Sequence, residues 1–153
     1  PGMEYVNRPA PDQGLAGKFS FQYTACAALL DGEVVIDTFE DERRFAPDME
    51  EMLKKVSLTQ DPDRPGRFEE EVVDLEIVLE DGTKVVTRCD GPKGSWNGEP
   101  LEPGAHEEKL RMCLDCRLNE RDRERIIELG SNLEQLENED LREVMAIASK
   151  PKS

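Results

Sequence analysis

Val73-Asp74-Leu75-Glu76-Ile77-Val78-Leu79-Glu80-Asp81-Gly82-Thr83-Lys84-Val85-Val86-Thr87-Arg88-Cys89 carries the clearest structural signal in the chain. Val73, Leu75, Ile77 and Leu79 alternate with Asp74, Glu76 and Glu80, and only Val78 breaks the pattern. Period two places the apolar side chains on one face of a strand. Asp81-Gly82 reads as a hairpin turn, and Val85, Thr87 and Cys89 continue the apolar face on the return strand. A half-buried antiparallel hairpin accounts for the whole segment.

Helical patterns flank it. Lys18 to Leu30 is rich in small and apolar residues and predicts a buried helix, stopped at Asp31-Gly32. Val34 to Thr38 is short and β-branched, and reads as a strand or as an extended connection. Pro47 suits the first turn of a helix that carries Met49, Met52, Leu53 and Val56 on one side. Val56 to Thr59 can start a strand before the turn residues Asp61 to Gly66. After the loop Gly91 to Trp96, the chain from Pro103 onward reads as helical, with Leu110, Cys113, Leu114 and Leu118 as a stripe. Asn119 caps the next helix, which holds Ile126, Ile127 and Leu129 and ends at Gly130. Asn138 caps the last one, with Leu141, Val144, Met145 and Ala148 inward. The fold class is therefore α+β, a small antiparallel sheet with packed helices followed by C-terminal helices. The expected divisions are a Pro- and Gly-rich linker over 1–16, an α+β domain over 17–102 and a helical segment over 103–149. Pro1-Gly2 leading into Met3 to Pro9 reads as the middle of an extended connection.

Composition limits the function classes. The 153 residues carry 20 Lys and Arg against 35 Asp and Glu, a net charge of −15. Nucleic acid and anionic membranes are met by clusters of cations, so neither is an expected partner. The same charge disfavours long-range steering of a small carboxylate, which would need local cations or a partner segment. The longest apolar stretch, Tyr23 to Leu30, falls far short of the roughly 20 residues that span a bilayer. The N-terminal residues lack the charged-then-apolar pattern of a secretory signal. Cys26 in an apolar run and Cys89 at a strand end suit reduced, buried thiols, and together these readings point to the cytoplasm.

The chemical motifs are sparse. Cys113-x-x-Cys116 lies inside a predicted helix, and zinc usually takes about four ligands, so these thiols read as structural. The sole histidine, His106, sits between acidic residues in a first helical turn and reads as solvated. Gly91 to Ser95 offers backbone N–H groups but lacks the ending of a P-loop. The acidic run Glu69 to Glu71 is a solvated face, and Ser20 has no triad partners in a recognisable arrangement. Neither a metal nor an organic cofactor is expected, and no complete catalytic site is visible.

A resemblance adds what the motifs do not. Tyr5-Val6-Asn7-Arg8-Pro9, Lys18-Phe19-Ser20-Phe21-Gln22-Tyr23 and Ala27-Ala28-Leu29-Leu30-Asp31-Gly32 look like the MmgE/PrpD family. The likeness continues through Lys55-Val56, Leu79-Glu80-Asp81-Gly82, Gly94-Ser95-Trp96 with Pro100-Leu101, and Glu107-Glu108-Lys109. It covers nearly the whole chain through the order and spacing of these segments, and is greatest to the C-terminal third of the family's decarboxylases. The family includes dehydratases, decarboxylases and an epimerase of small di- and tricarboxylates. It implies a two-domain, commonly homodimeric enzyme without metal or organic cofactor. A large N-terminal helical domain carries most catalytic residues, an α+β lid faces it across the active-site cleft, and the final helices return to the large domain.

Carried onto this chain, the resemblance implies an active-site role for Tyr5, whose phenol would donate to a developing carbanion or enolate. Decarboxylase-like members have this tyrosine, and not all dehydratases do. Arg8 and Lys18 are the nearest cations for a substrate carboxylate, and Ser20 and Tyr23 read equally well as packing residues. The expected function is the lid part of a lyase, inactive alone; the rival is a non-catalytic α+β binding or assembly module. Either way Ile126, Ile127, Leu133, Leu136, Leu141 and Val144 are expected to present apolar surface to a partner.

Overall fold

Tyr23, Cys26, Ala27, Met49 and Leu53 form the main core of the N-terminal unit, with Leu30, Phe39, Ala46, Met52 and Val56 packed around them. The computed structural model describes residues 3–62, 72–94 and 99–150, and two compact units divide the chain, Pro1–Glu99 and Pro100–Ser153. The fold is α+β, and the described residues hold a two-stranded antiparallel sheet, seven α-helices and a helical C-terminal unit.

In the first unit, α1 spans Met3–Val6 and α2 spans Phe21–Asp31. A 3-10 turn at Leu15–Phe19 precedes α2. The helix expected from Lys18 starts three residues later because the Ser20 side chain accepts the Tyr23 N–H and caps it there. Gly32 closes α2 in the left-handed region at φ 80°, as the sequence predicts. Val34 to Thr38 forms no strand: a 3-10 turn occupies Asp37–Phe39, and the buried Tyr23 hydroxyl donates to the Thr38 carbonyl. α3 (Asp41–Arg44) has no apolar periodicity and escapes the sequence reading. α4 spans Pro47–Leu53, with Pro47 in its first turn and Met49 and Leu53 buried against α2. Residues 56–60 carry no strand. Arg43 bridges Asp31 at the end of α2 and Asp48 at the start of α4.

The segment between α1 and α2 is firmly docked. Arg44, 3% exposed, donates from Nε to the Pro11 carbonyl at 2.7 Å, and Asp41 accepts the Gly14 N–H at 2.7 Å. A Cβ on Gly14 would stand 2.3 Å from the Phe39 carbonyl oxygen, and one on Gly17 2.4 Å from the Tyr23 ring. Only hydrogen fits at either place.

β1 (Val73–Val78) pairs with β2 (Lys84–Cys89) in the register Val73↔Cys89 to Val78↔Lys84. That register puts Val73, Leu75, Ile77, Val85, Thr87 and Cys89 on one face, as the alternation requires. Gly82, at φ 82°, completes the turn after Leu79. The apolar face is poorly covered, since Leu75 and Ile77 are half-buried and Val73, Val85 and Cys89 are exposed. Cys89 is thus not the buried thiol expected at a strand end. Cys26 is fully buried, which pushes its thiol pKa up. Residues 63–71 and 95–98, which include most of the expected turn, the acidic run and Ser95-Trp96, lie outside the described residues.

The second unit holds α5 (Ala105–Asp115), α6 (Glu120–Ser131) and α7 (Asn138–Ala148). Asn119 caps α6 by accepting the Asp122 N–H, as expected. Gly130 does not end the helix, which runs on to Ser131. The Asn132 N–H bonds the Leu129 carbonyl and Asn132 Nδ2 the Glu128 carbonyl, closing the final turn. The cap of α7 is Glu137, in a reciprocal capping box with Asp140, and not Asn138. Ile127, Leu129 and Ile147 are buried, whereas Leu133, Leu141 and Met145 are exposed. Leu141 and Met145 therefore do not face inward; with Asn138 and Arg142 they line an open groove on α7. Among the described residues no helix is long and apolar enough to cross a membrane.

Ion pairs tie this unit together. Arg125 forks onto Glu143 at 2.8 and 3.1 Å, and Lys150 reaches Asp122 at 2.6 Å. The Lys150 hydrogen bond holds the Asp122 carboxyl below its usual range, and the Arg125 hydrogen bonds do the same for Glu143. A depressed carboxyl pKa stabilises the fold above the unfolded value and loses that contribution as pH falls through the folded one. The helices of this unit are expected to melt at a constant temperature from neutrality to about pH 5 and progressively lower below about pH 4. Circular-dichroism melts across that range, with and without added salt, check it; a flat profile down to pH 3 would refute it.

Candidate functional site

Three sequence-predicted site residues lie in the first unit, and the structure brings two of them together. Tyr5 is on α1, and Arg8 follows it one turn later, with its N–H on the Val6 carbonyl at 3.1 Å. Arg8 Nε donates to the Tyr5 carbonyl at 3.2 Å. The guanidinium carbon stands 5.6 Å from the centroid of the Tyr5 ring and 5.6 Å from that of Phe19. The two rings meet edge to face at 5.0 Å. Arg8 is thus held by aromatic faces and one backbone carbonyl, and none of its described contacts is with a carboxylate. An arginine oriented in this way keeps its outer N–H groups available for a planar anion. The Tyr5 side chain is 55% exposed and its hydroxyl has no hydrogen-bond partner among the described residues.

Lys18 goes elsewhere. Its ammonium lies 5.4 Å from the centroid of Phe39, and it shares no ring or hydrogen bond with Tyr5 or Arg8. The arrangement gives one compact donor pair, a phenol beside a guanidinium, with the second cation on a separate aromatic face.

The start of α2 fixes this pair. Ser20 Oγ accepts the Tyr23 N–H at 2.9 Å and donates to the Arg8 carbonyl at 2.6 Å. Gln22 Nε2 donates to Asn7 Oδ1 at 2.6 Å. The sequence reading missed Asn7, Phe19 and Gln22. Their partnerships bridge up to 15 residues without any periodic pattern, so only the tertiary arrangement reveals them. Ser20 is committed to backbone groups and supplies no nucleophile.

The remaining candidates stay apart. His106 is exposed on the first turn of α5. Cys113 and Cys116 are free thiols, and Cys116 Sγ lies 3.6 Å from the Met112 carbonyl oxygen as a weak intrahelical contact. Gly91 and Gly94 have φ of 147° and 79°, and the Gly94 N–H bonds the Glu99 carbonyl. Among the described residues no three His, Cys, Asp or Glu side chains gather around a common point that would hold a metal ion.

The sequence profile of the MmgE/PrpD C-terminal domain matches residues 1–135. Cis-aconitate decarboxylase of Mus musculus is 37% identical over 138 residues, covering 90% of this chain and 28% of that protein. Cis-aconitate decarboxylase of Homo sapiens is 36% identical over 138 residues, with the same coverage. The chain thus spans little more than a quarter of the length of these curated relatives. By the extent of the profile match, the chain belongs to the MmgE/PrpD family, as a C-terminal domain of that kind.

Proposed function

We propose that this chain forms one wall of a carboxylate-binding cleft in a larger lyase of small di- or tricarboxylates. The observation that carries the reading is the Arg8 guanidinium, lying against the Tyr5–Phe19 ring pair beside the exposed Tyr5 phenol. In a chain of net charge −15, a carboxylate needs such a local cation, and a fork-shaped donor matches its geometry. The phenol next to it is placed to donate to charge that develops when a proton or carbon dioxide leaves. Similarity to two cis-aconitate decarboxylases supports decarboxylation as the first activity to assay, with dehydration after proton abstraction as the other. Lys18 would serve at most a second carboxylate.

In this reading the α+β unit acts as a lid, and the N-terminal helical domain of the same enzyme supplies the other wall. The intact enzyme would be a cytoplasmic homodimer that uses neither metal nor organic cofactor. The exposed Leu133, Leu141 and Met145, and the poorly covered hairpin face, support a chain that docks on further polypeptide. The same surfaces are what a purely binding module would use, and activity separates the two.

The purified 153-residue chain is expected to show no turnover of cis-aconitate or 2-methylcitrate, and the chain joined to its helical partner domain to show it. In that intact enzyme, Arg8→Met should raise KM by about 10- to 100-fold, the loss of a charge-assisted hydrogen bond. Robust turnover by the isolated chain would end the claim of incompleteness. An unchanged KM would remove Arg8 from the site.

A further inference from the structure

Gln22 is 2% exposed, in the first turn of α2. Its Nε2 donates to Asn7 Oδ1 at 2.6 Å, and its Oε1 is buried with no partner. Exchanging the oxygen and nitrogen of both amides keeps the bond but leaves Nε2 unpaired instead. In either orientation one polar atom of this side chain is unused. A buried polar atom without a partner is destabilising, and an aliphatic side chain of similar size would fill the same space without that cost. Packing alone therefore disfavours an amide at this position.

What the amide does is hold Asn7. Asn7 lies between Val6, whose carbonyl accepts the Arg8 N–H, and Arg8, whose carbonyl accepts the Ser20 hydroxyl. The Ser20–Arg8 and Gln22–Asn7 bonds tie two successive residues to the start of α2, and the Val6–Arg8 bond closes the turn that leads to them. Releasing Asn7 would free the middle of the turn and let the guanidinium leave the Tyr5 and Phe19 rings.

We propose that Gln22 is a positioning residue of the carboxylate site, acting through Asn7 to hold Arg8 and Tyr5 in their donor geometry. This inference rests on the reading of Tyr5 and Arg8 as that site. It makes Gln22 a residue whose removal costs function without costing stability.

The test uses the intact enzyme with cis-aconitate as substrate. Gln22→Leu is expected to leave the melting temperature unchanged or raised, and to raise KM by about 10-fold or more. Gln22→Glu adds a pH signature. The neutral acid can donate to Asn7 Oδ1 as the amide does, whereas the ionised carboxylate, even with the Asn7 amide turned to donate, places a charge at a position only 2% exposed and is driven out of it. This variant should approach wild-type KM at acid pH and lose affinity as the pH rises through the pKa of the new carboxyl, a step absent from the wild type. An increased KM in both Arg8→Met and Gln22→Leu, with stability retained, supports the proposal. If Arg8→Met raises KM and Gln22→Leu does not, the positioning role falls while the carboxylate site stands. If neither changes KM, both fall. If Gln22→Leu lowers the melting temperature and Gln22→Glu shows no acid recovery, Gln22 is a structural residue only, and the proposal is overturned.

Discussion

Tyr5→Phe in the intact enzyme is expected to lower kcat by about 10²- to 10⁴-fold, the usual worth of a positioned proton donor, with little change in KM. The substitution isolates the hydroxyl. Phenylalanine keeps the ring that meets Phe19 edge to face at 5.0 Å and the face that packs on Arg8. The Arg8 Nε bond goes to the Tyr5 backbone carbonyl and is also kept. The hydroxyl has no partner among the described residues, so its removal leaves no buried group unsatisfied. A fall in kcat with an intact KM is the signature of an interaction made in the transition state only. A rise in KM with kcat unchanged would instead make the phenol a ground-state contact. Near-wild-type kinetics would leave Tyr5 as an aromatic prop for Arg8. Steady-state assays of the variant beside Arg8→Met separate these outcomes, because the guanidinium is expected to act mainly on KM and the phenol mainly on kcat.

How much of this was legible in the sequence depends on the range of the interaction. The hairpin was readable because period-two alternation and Asp81-Gly82 are local, and the structure holds the strands in the register that the alternation requires. Gly32 and Pro47 were readable as helix punctuation for the same reason. The start of α2 was misplaced because Ser20 looks like part of an apolar run until its side chain is seen accepting the Tyr23 N–H. The α7 stripe was misassigned because a heptad-like pattern does not say which side has a partner. Ile147 found one within the unit, and Leu141 and Met145 did not. Tyr5 is named through the family resemblance and Arg8 as a nearby cation, but Gln22 is not, since nothing in a lone glutamine signals a bond to an asparagine 15 residues away. Lys18 was grouped with Arg8 on sequence proximity, and the structure sends it to Phe39.

Met49→Ala is expected to destabilise the N-terminal unit by about 2–5 kcal/mol, the range for truncating a buried methionine. Met49 is fully buried among Tyr23, Cys26, Ala27 and Leu53, and joins α4 to α2. The loss would not come from helix propensity, since alanine is at least as good a helix former as methionine. Nor would it come from the start of α4, because Pro47 and the Arg43–Asp48 pair do not involve the Met49 side chain. It would come from a cavity at the contact that holds α2 in place. Domains of this size are stable by about 5–15 kcal/mol in total, so such a loss is a large share of what holds the unit together. Met145→Ala is the matched control: Met145 is 70% exposed, and its truncation should cost less than about 0.5 kcal/mol. Urea titrations of the two variants in the 153-residue chain give the comparison directly. Equal costs would mean that α2 and α4 are not joined by this core. Ser20 and Gln22 would then have no rigid base from which to hold Arg8 and Tyr5, and the geometry on which the carboxylate reading rests would lose its support.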